Sequence, residues 1–164
     1  MRLANLSALV VFGVDQISKI AVVWGLDLAS RGEIDVVPPF LNFRMAWNQG
    51  VNFGLLSDDA ALMRWVLIGV ALAISAWVWV WVSRTDPAPR VQLLAGVLIG
   101  GALGNVVDRV AYGAVADFLN MSCCGIENPF AFNVADVAIF VGAIGLVIFT
   151  GKDKPVGKKR GKTP

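Results

Sequence analysis

The sequence predicts an α-helical integral membrane protein: four transmembrane helices with a small extracytoplasmic β-sheet between the first two. Three observations carry that prediction. The 164-residue chain is 57% hydrophobic with a mean hydropathy of +0.68, whereas soluble domains are roughly 45–50% apolar. Only 16% of its residues are charged, where about 25% is usual. The charges are also segregated: residues 65–82 and 91–107 contain none, residues 3–26 are broken only by Asp15 and Lys19, and residues 130–151 only by Asp136. Each stretch approaches the roughly 20 residues that cross a bilayer. Four helices apolar on all sides could not bury one another in so short a chain, so lipid must solvate their outer faces.

In order, the spans are expected at about 3–26, 62–83, 91–110 and 133–150, with outer loops at about 27–61 and 111–132. Residues 1–151 then form one membrane domain, and 152–164 a basic, disordered cytoplasmic tail. The direction follows from Lys and Arg, which resist translocation and collect on the cytoplasmic side. Arg2, Arg84, Arg90 and the six bases of the tail place nine of the 14 positive residues on one side. Both termini are therefore expected in the cytoplasm. The first span is read as retained rather than as a cleaved signal: its flank carries one arginine, no A-x-A site follows, and Asp15 and Lys19 interrupt it. In the long first outer loop, residues 34–37 and 40–47 alternate as short strands do. Trp77, Trp79 and Trp81 lie two apart, cannot share one helix face, and fit an interfacial belt. The tail fits an anchor beside anionic lipid, not a nucleic-acid site.

There is no histidine, which removes Ser-His-Asp and Cys-His nucleophile pairs and the H-E-x-x-H zinc site. Cys123 and Cys124, the only two cysteines, are too few for a disulfide framework or thiolate zinc cage, and no role is assigned to them. Any hydrolytic chemistry falls to carboxylates, lysine or hydroxyls. No metal or cofactor is expected.

Ionisable groups inside a span cost about 2.5–3.5 kcal/mol each, so each needs a partner or a task. Asp15 and Lys19 are four apart on one helix face, in the favourable order for an ion pair; mutual neutralisation accounts for them. Gly96, Gly100 and Gly104 form a smooth ridge for a neighbouring helix, running into Asn105, Asp108 and Arg109, which read as an interhelical clamp. Asp117 follows the helix break at Gly113, and Asp136 falls in the first turn of the fourth span. Both carboxylates are thus expected at one depth near the outer surface. Two readings of that pair stay open. Asn133-x-x-Asp136 has the pattern of a helix cap with an acid favoured by the dipole. Alternatively, two close carboxylates share one proton, one activating water while the other stabilises an oxyanion.

At these residues the sequence resembles the bacterial lipoprotein signal peptidases, also called signal peptidase II. Asp15-Gln16-Ile17-Ser18-Lys19 is similar to the family's D-Q-x-[ST]-K, and Asn48-Gln49-Gly50-Val51-Asn52-Phe53-Gly54 to N-x-G-x-x-F-[SG]. The run from Gly100 through Asn105 to Asp108-Arg109, then Gly113 to Asp117-Phe118, resembles G-G-A-x-G-N-x-x-D-R and G-x-V-x-D-F. Phe132-Asn133-Val134-Ala135-Asp136 resembles F-N-x-A-D. Four strings in the right order on a four-span frame make the resemblance specific. It implies an intramembrane aspartic endopeptidase that cuts diacylglyceryl-modified prolipoproteins just before the lipidated cysteine. Its catalytic pair maps onto Asp117 and Asp136, and its supporting residues onto Asp15, Lys19, Asn48, Gly50, Asn105, Asp108, Arg109 and Asn133. It further implies a mobile flap, the bacterial inner membrane as location, membrane lipid as environment and sensitivity to a globomycin-type inhibitor. Asn52 departs from the small residue of the motif.

Two other classes compete. A small transporter would use Asp15, Lys19, Asp108 and Asp136 as an ion path, but needs polar residues through the cytoplasmic half, which spans two and four barely supply. A non-enzymatic scaffold accounts for Asn105 to Arg109 and leaves Asp117 without a purpose.

Overall fold

A computed structural model describes residues 1–38, 40–50, 60–123, 125 and 128–150. The expected tail at 152–164, residues 51–59 of the first outer loop with Asn52, and Cys124 lie outside the described residues.

Helix α1 (Arg2–Lys19) continues without a break into a π-helical turn, Ile20–Gly25. Helix α2 (Leu28–Arg31) leads into strands β1 (Glu33–Val37) and β2 (Leu41–Asn48). Helices α3 (Ala60–Thr85) and α4 (Pro89–Tyr112), strand β3 (Val115–Asn120) and helix α5 (Val134–Thr150) complete the chain. Three helical segments, Arg2–Gly25, Ala61–Thr85 and Pro89–Tyr112, are long and apolar enough to cross a membrane. Helix α5 is equally apolar but has 17 residues, about 26 Å at 1.5 Å per residue.

The glycines of α4 decide which helices meet. A Cβ on Gly96 or Gly100 would strike the α1 backbone at Ala4 or Ala8, and one on Gly101 would lie 2.6 Å from the Ala135 carbonyl of α5. The ridge expected at 96, 100 and 104 therefore receives α1, while Gly101 on the adjoining face receives α5. From α5, Gly142 and Gly145 return the fit against Leu94 and Leu98. Small residues let backbones approach where lipid offers no hydrophobic drive for association. Nearer the end of the bundle that holds the N-terminus, Ala4, Val78, Val82, Ala95, Leu98 and Ile99 close an apolar core. Of the three tryptophans beside it, Trp77 is exposed, Trp79 donates to Asn5 Oδ1 at 3.2 Å, and Trp81 packs on that core.

The sheet is antiparallel in the order β1-β2-β3. Two of its strands fall where alternation predicts them, except that Phe40 belongs to the turn. The third was not predicted. Val115–Asn120 is buried almost throughout, so it lacks the polar alternation that marks a half-exposed strand. One of its faces, Ala116 and Phe118, packs on Val23 of the π turn and Leu28 of α2, with Phe118 edge-on to Phe43 at 5.9 Å. Residue alternation turns Asp117 to the other face.

Candidate active site

Four elements meet at the end of the bundle beneath β3. Asp117 sits at the third position of β3, opposite Ala46 of β2. Its Oδ2 accepts from Asn48 Nδ2 at 3.0 Å and its Oδ1 from Asn133 Nδ2 at 2.6 Å. Asp136 occupies the first turn of α5. Its backbone N–H donates to Asn133 Oδ1 at 2.9 Å, and its Oδ2 accepts from the Asn133 N–H at 3.2 Å. That is a reciprocal cap, so the capping pattern read from Asn133-x-x-Asp136 is real. It leaves Asp136 Oδ1 to accept from Asn105 Nδ2 at 2.9 Å. Asn133, fully buried, contacts both acids and also donates to Asn105 Oδ1 at 3.3 Å.

Around this cluster, Asp15, Lys19 and Asp108 form a buried ion triad. Lys19 Nζ is 2.8 Å from Asp15 Oδ2 and 2.8 Å from Asp108 Oδ2. The expected pair is thus a bridge between two acids. The remaining contacts of those acids matter most. Asp15 Oδ1 accepts the Ala135 N–H at 2.9 Å, and Asp108 Oδ2 accepts the Ala116 N–H at 3.1 Å. Each carboxylate holds the N–H of the residue immediately before one of the two site aspartates, and Lys19 ties the two holds together. Gln16, part of the first motif but given no role by the sequence, donates to Asp15 Oδ2 at 3.1 Å and Asp108 Oδ1 at 3.2 Å. No sequence spacing could reveal the two backbone contacts, because one of them joins residues 120 apart.

Among the described residues, Arg109 grips no carboxylate. Its Nη1 reaches its own helix at Asn105 O, 3.5 Å, and its Nε has no partner among the described residues. It and Asn105 head a groove of about 430 Å³ between α3, α4 and α5, walled by Leu67, Ile74, Ala102 and Ile139. Gly50 adopts φ +103 beside the loop, its N–H donating to Asn48 Oδ1 at 2.9 Å.

Asp117 lies outside the helices. Burial first, and the neighbouring Asp136 carboxylate second, push its carboxyl up from 3.8 to about 6. Hydrogen bonds from Asn48 and Asn133 and the Lys19 ammonium pull the other way and do not prevail. Like-charge proximity and desolvation both favour the protonated acid.

Apolar helices with two aspartates gathered into one buried polar cluster at their end define a membrane protein organised around paired carboxylates. Comparison with known proteins narrows that class. The family described as Signal peptidase (SPase) II matches residues 7–151. A lipoprotein signal peptidase of Methylorubrum extorquens (strain PA1) is 37% identical over 158 residues, 94% of this chain and 88% of that protein. One from Methylobacterium sp. (strain 4-46) is 40% identical, over 84% and 81% respectively. Two solved structures, each described as a bacterial membrane enzyme determined by the in meso method, superpose with TM-scores of 0.72 and 0.74 at 28% and 29% identity. They cover 99% and 94% of this chain, each over 96% of its own length. The chain belongs to the signal peptidase II family and is a membrane peptidase of the aspartic type.

Proposed function

We propose that Asp117 and Asp136 are the catalytic dyad, and that the substrate is a diacylglyceryl-modified prolipoprotein cut just before its lipidated cysteine. The observation that carries this reading is the shared cradle: Asn133 contacts both acids, and the Asp136 charge helps raise the Asp117 carboxyl to about 6. The reaction uses the pair with a single proton between its members, the form that the raised Asp117 carboxyl favours. The ionised carboxylate takes a proton from water as the water oxygen attacks the scissile carbonyl carbon. The protonated carboxyl gives its proton to the carbonyl oxygen, forming a tetrahedral diol. On collapse one hydroxyl proton returns to the dyad, the C–N bond breaks, and the leaving amine takes the other dyad proton. The dyad ends singly protonated, as it began.

Supporting roles follow from geometry. Asn48, Asn105 and Asn133 orient the two carboxyls, and the Asp15–Lys19–Asp108 triad holds the backbones that carry them. Gly50 turns the chain beside Asn48. Arg109, with donors unspent at the head of the apolar groove, positions a carbonyl of the substrate whose apolar signal segment lies along α3 and α5. In this reading α5 crosses as a fourth span, both termini are cytoplasmic, and the site opens at the outer face of the bacterial inner membrane, against membrane lipid. A globomycin-type peptide would compete for the same groove.

Cleavage of such a prolipoprotein by the purified chain tests the reading. Asp117→Asn and Asp136→Asn should each lose about 10²–10⁴-fold in rate, while Asp35→Asn, on exposed β1, should not. Full activity in either folded dyad variant sinks the proposal. A chelator should leave the rate unchanged; loss restored by a divalent ion would mean the carboxylates hold metal.

A further inference from the structure

Arg64 belongs to none of the four motifs, and neither the dyad nor its cradle includes it. It lies in the first turns of α3, on the helix that otherwise supplies only apolar wall to the site. Its Nη2 donates to the Val110 carbonyl of α4 at 2.7 Å. Val110 is in the last turn of α4, where carbonyls have no N–H of their own helix to accept from. The neighbouring Arg109 carbonyl is taken by Gly113 N–H at 3.1 Å. Arg64 therefore supplies, from another helix, a donor that the end of α4 lacks.

The position of that end matters. Gly113 turns the chain with φ +82, and a Cβ there would lie 3.5 Å from Arg64 Nη1. Four residues later comes Asp117, reached through Ala114, Val115 and Ala116, all buried. The segment has little room to absorb a shift at its root. The guanidinium is steadied in turn by the Trp65 ring, 5.2 Å from its carbon, a cation–π contact.

We propose that Arg64 is a positioning residue for the dyad: by capping α4 at Val110 beside the Gly113 turn, it fixes where β3 begins and so where Asp117 stands against Asp136. It touches no reacting atom. It also couples α3 to the carboxylate carried by β3. The inference rests on the dyad reading only for its effect on catalysis, because its structural half can be read without substrate.

The measurement is a titration of the Asp117 carboxyl by ¹³C NMR in micelles, assigned with Asp117→Asn, on the wild-type chain and on Arg64→Lys, Arg64→Gln and Arg64→Met. The groups facing Asp117 are Asp136 of α5, Lys19 of α1 and Arg109 of α4, with Asn48 and Asn133 as neutral donors. Their combined effect with burial is upward, so loosening β3 must move the titration down, towards the ordinary carboxyl range. Arg64→Gln should show that downward shift, and a kcat loss of about 10–100-fold with KM little changed, as for a sub-ångström to ångström misplacement. Arg64→Lys, which keeps a charge and a donor for Val110, should restore most of both. Arg64→Met retains the apolar stem over Trp65 and gives the same readout if Arg64→Gln does not fold. An unshifted Asp117 titration in a folded Gln or Met variant overturns the proposal, even if its melting temperature has dropped, since that is what a merely structural arginine would do. Should the wild-type chain fail to cleave, the functional reading falls, and the titration still decides this one.

Discussion

Helices α3 and α4 are of similar length and both apolar, yet they do opposite work. Two-thirds of the most apolar stretch of α4 is buried, against 22% in α3. The difference lies in what interrupts the apolar residues. In α4 the interruptions are glycines that admit two other helices, followed by Asn105 and Asp108, which bond to residues of those helices, and by Arg109. In α3 they are an arginine near each end, Arg64 and Arg84, and four tryptophans, with Gly69 facing open space. Mean hydropathy identifies a helix that lipid can solvate; the placement of small and polar residues identifies which helix the others surround. The site is built on the surrounded one.

The largest test of that contrast removes the charge at the centre of α4's polar end. Lys19→Met would leave Asp15 and Asp108 facing one another without a cation, both buried. Breaking a buried ion network in this way costs about 3–5 kcal/mol. Thermal unfolding should show the variant melting far below wild type, with activity lost even in the fraction that folds, since the Ala116 and Ala135 holds depend on it. Wild-type melting would show that the triad is dispensable. Next in size is a paired substitution. Gly100→Leu drives a side chain into the α1 backbone at Ala8 and should cost about 1–3 kcal/mol or more, whereas Gly69→Leu on α3, where an added Cβ meets nothing within 4 Å, should cost far less. Equal melting temperatures for the two would erase the distinction between the helices.

Much of this was legible in advance. Long charge-free runs fix spans because the bilayer leaves the backbone one solution, and the glycine spacing of α4 fixes a close-packed face. Asp136 could be placed because a capping pattern is local: Asn133 and Asp136 are three residues apart. Asp117 was placed only by its distance from Gly113, and the strand that holds it was missed. Burial on both faces removes the alternation that identifies strands, and its partner β2 lies some 70 residues away in sequence, at separations such as Ala46 to Asp117. Arg109 was read as part of an interhelical clamp; among the described residues its hydrogen bond, from Nη1 to Asn105 O, stays within its own helix. Nothing in its spacing distinguishes a clamp from a donor left free. The bridge by Lys19 to Asp108, and the backbone holds at Ala116 and Ala135, are tertiary facts with no local signature.

A smaller effect tests the cost that the polar end imposes on stability. Because the Asp117 carboxyl is raised from 3.8 to about 6 on folding, the folded chain binds more protons than the unfolded one between those values. Stability attributable to this group therefore falls as pH rises through that window and levels off above it. In Asp117→Asn that slope should vanish, so the change in melting temperature between pH 4.5 and 7.5 should be smaller than in wild type. An unchanged slope would mean that the carboxyl is not held against its ionisation.

The smallest effect belongs to α3. Ser75 is buried there, and its Oγ has no hydrogen-bond partner among the described residues. A buried hydroxyl left unsatisfied costs about 1–3 kcal/mol relative to one that is paired. In lipid the comparison softens, because the unfolded helix within the membrane has no water for it either. Ser75→Ala removes the hydroxyl and little volume, so it should leave activity unchanged and raise stability by no more than about 1 kcal/mol. Destabilisation by that variant would show that Ser75 has a partner across α3. The helix that looks like plain wall would then hold a polar contact of the kind found along α4, and the line between the two helices would have to be redrawn.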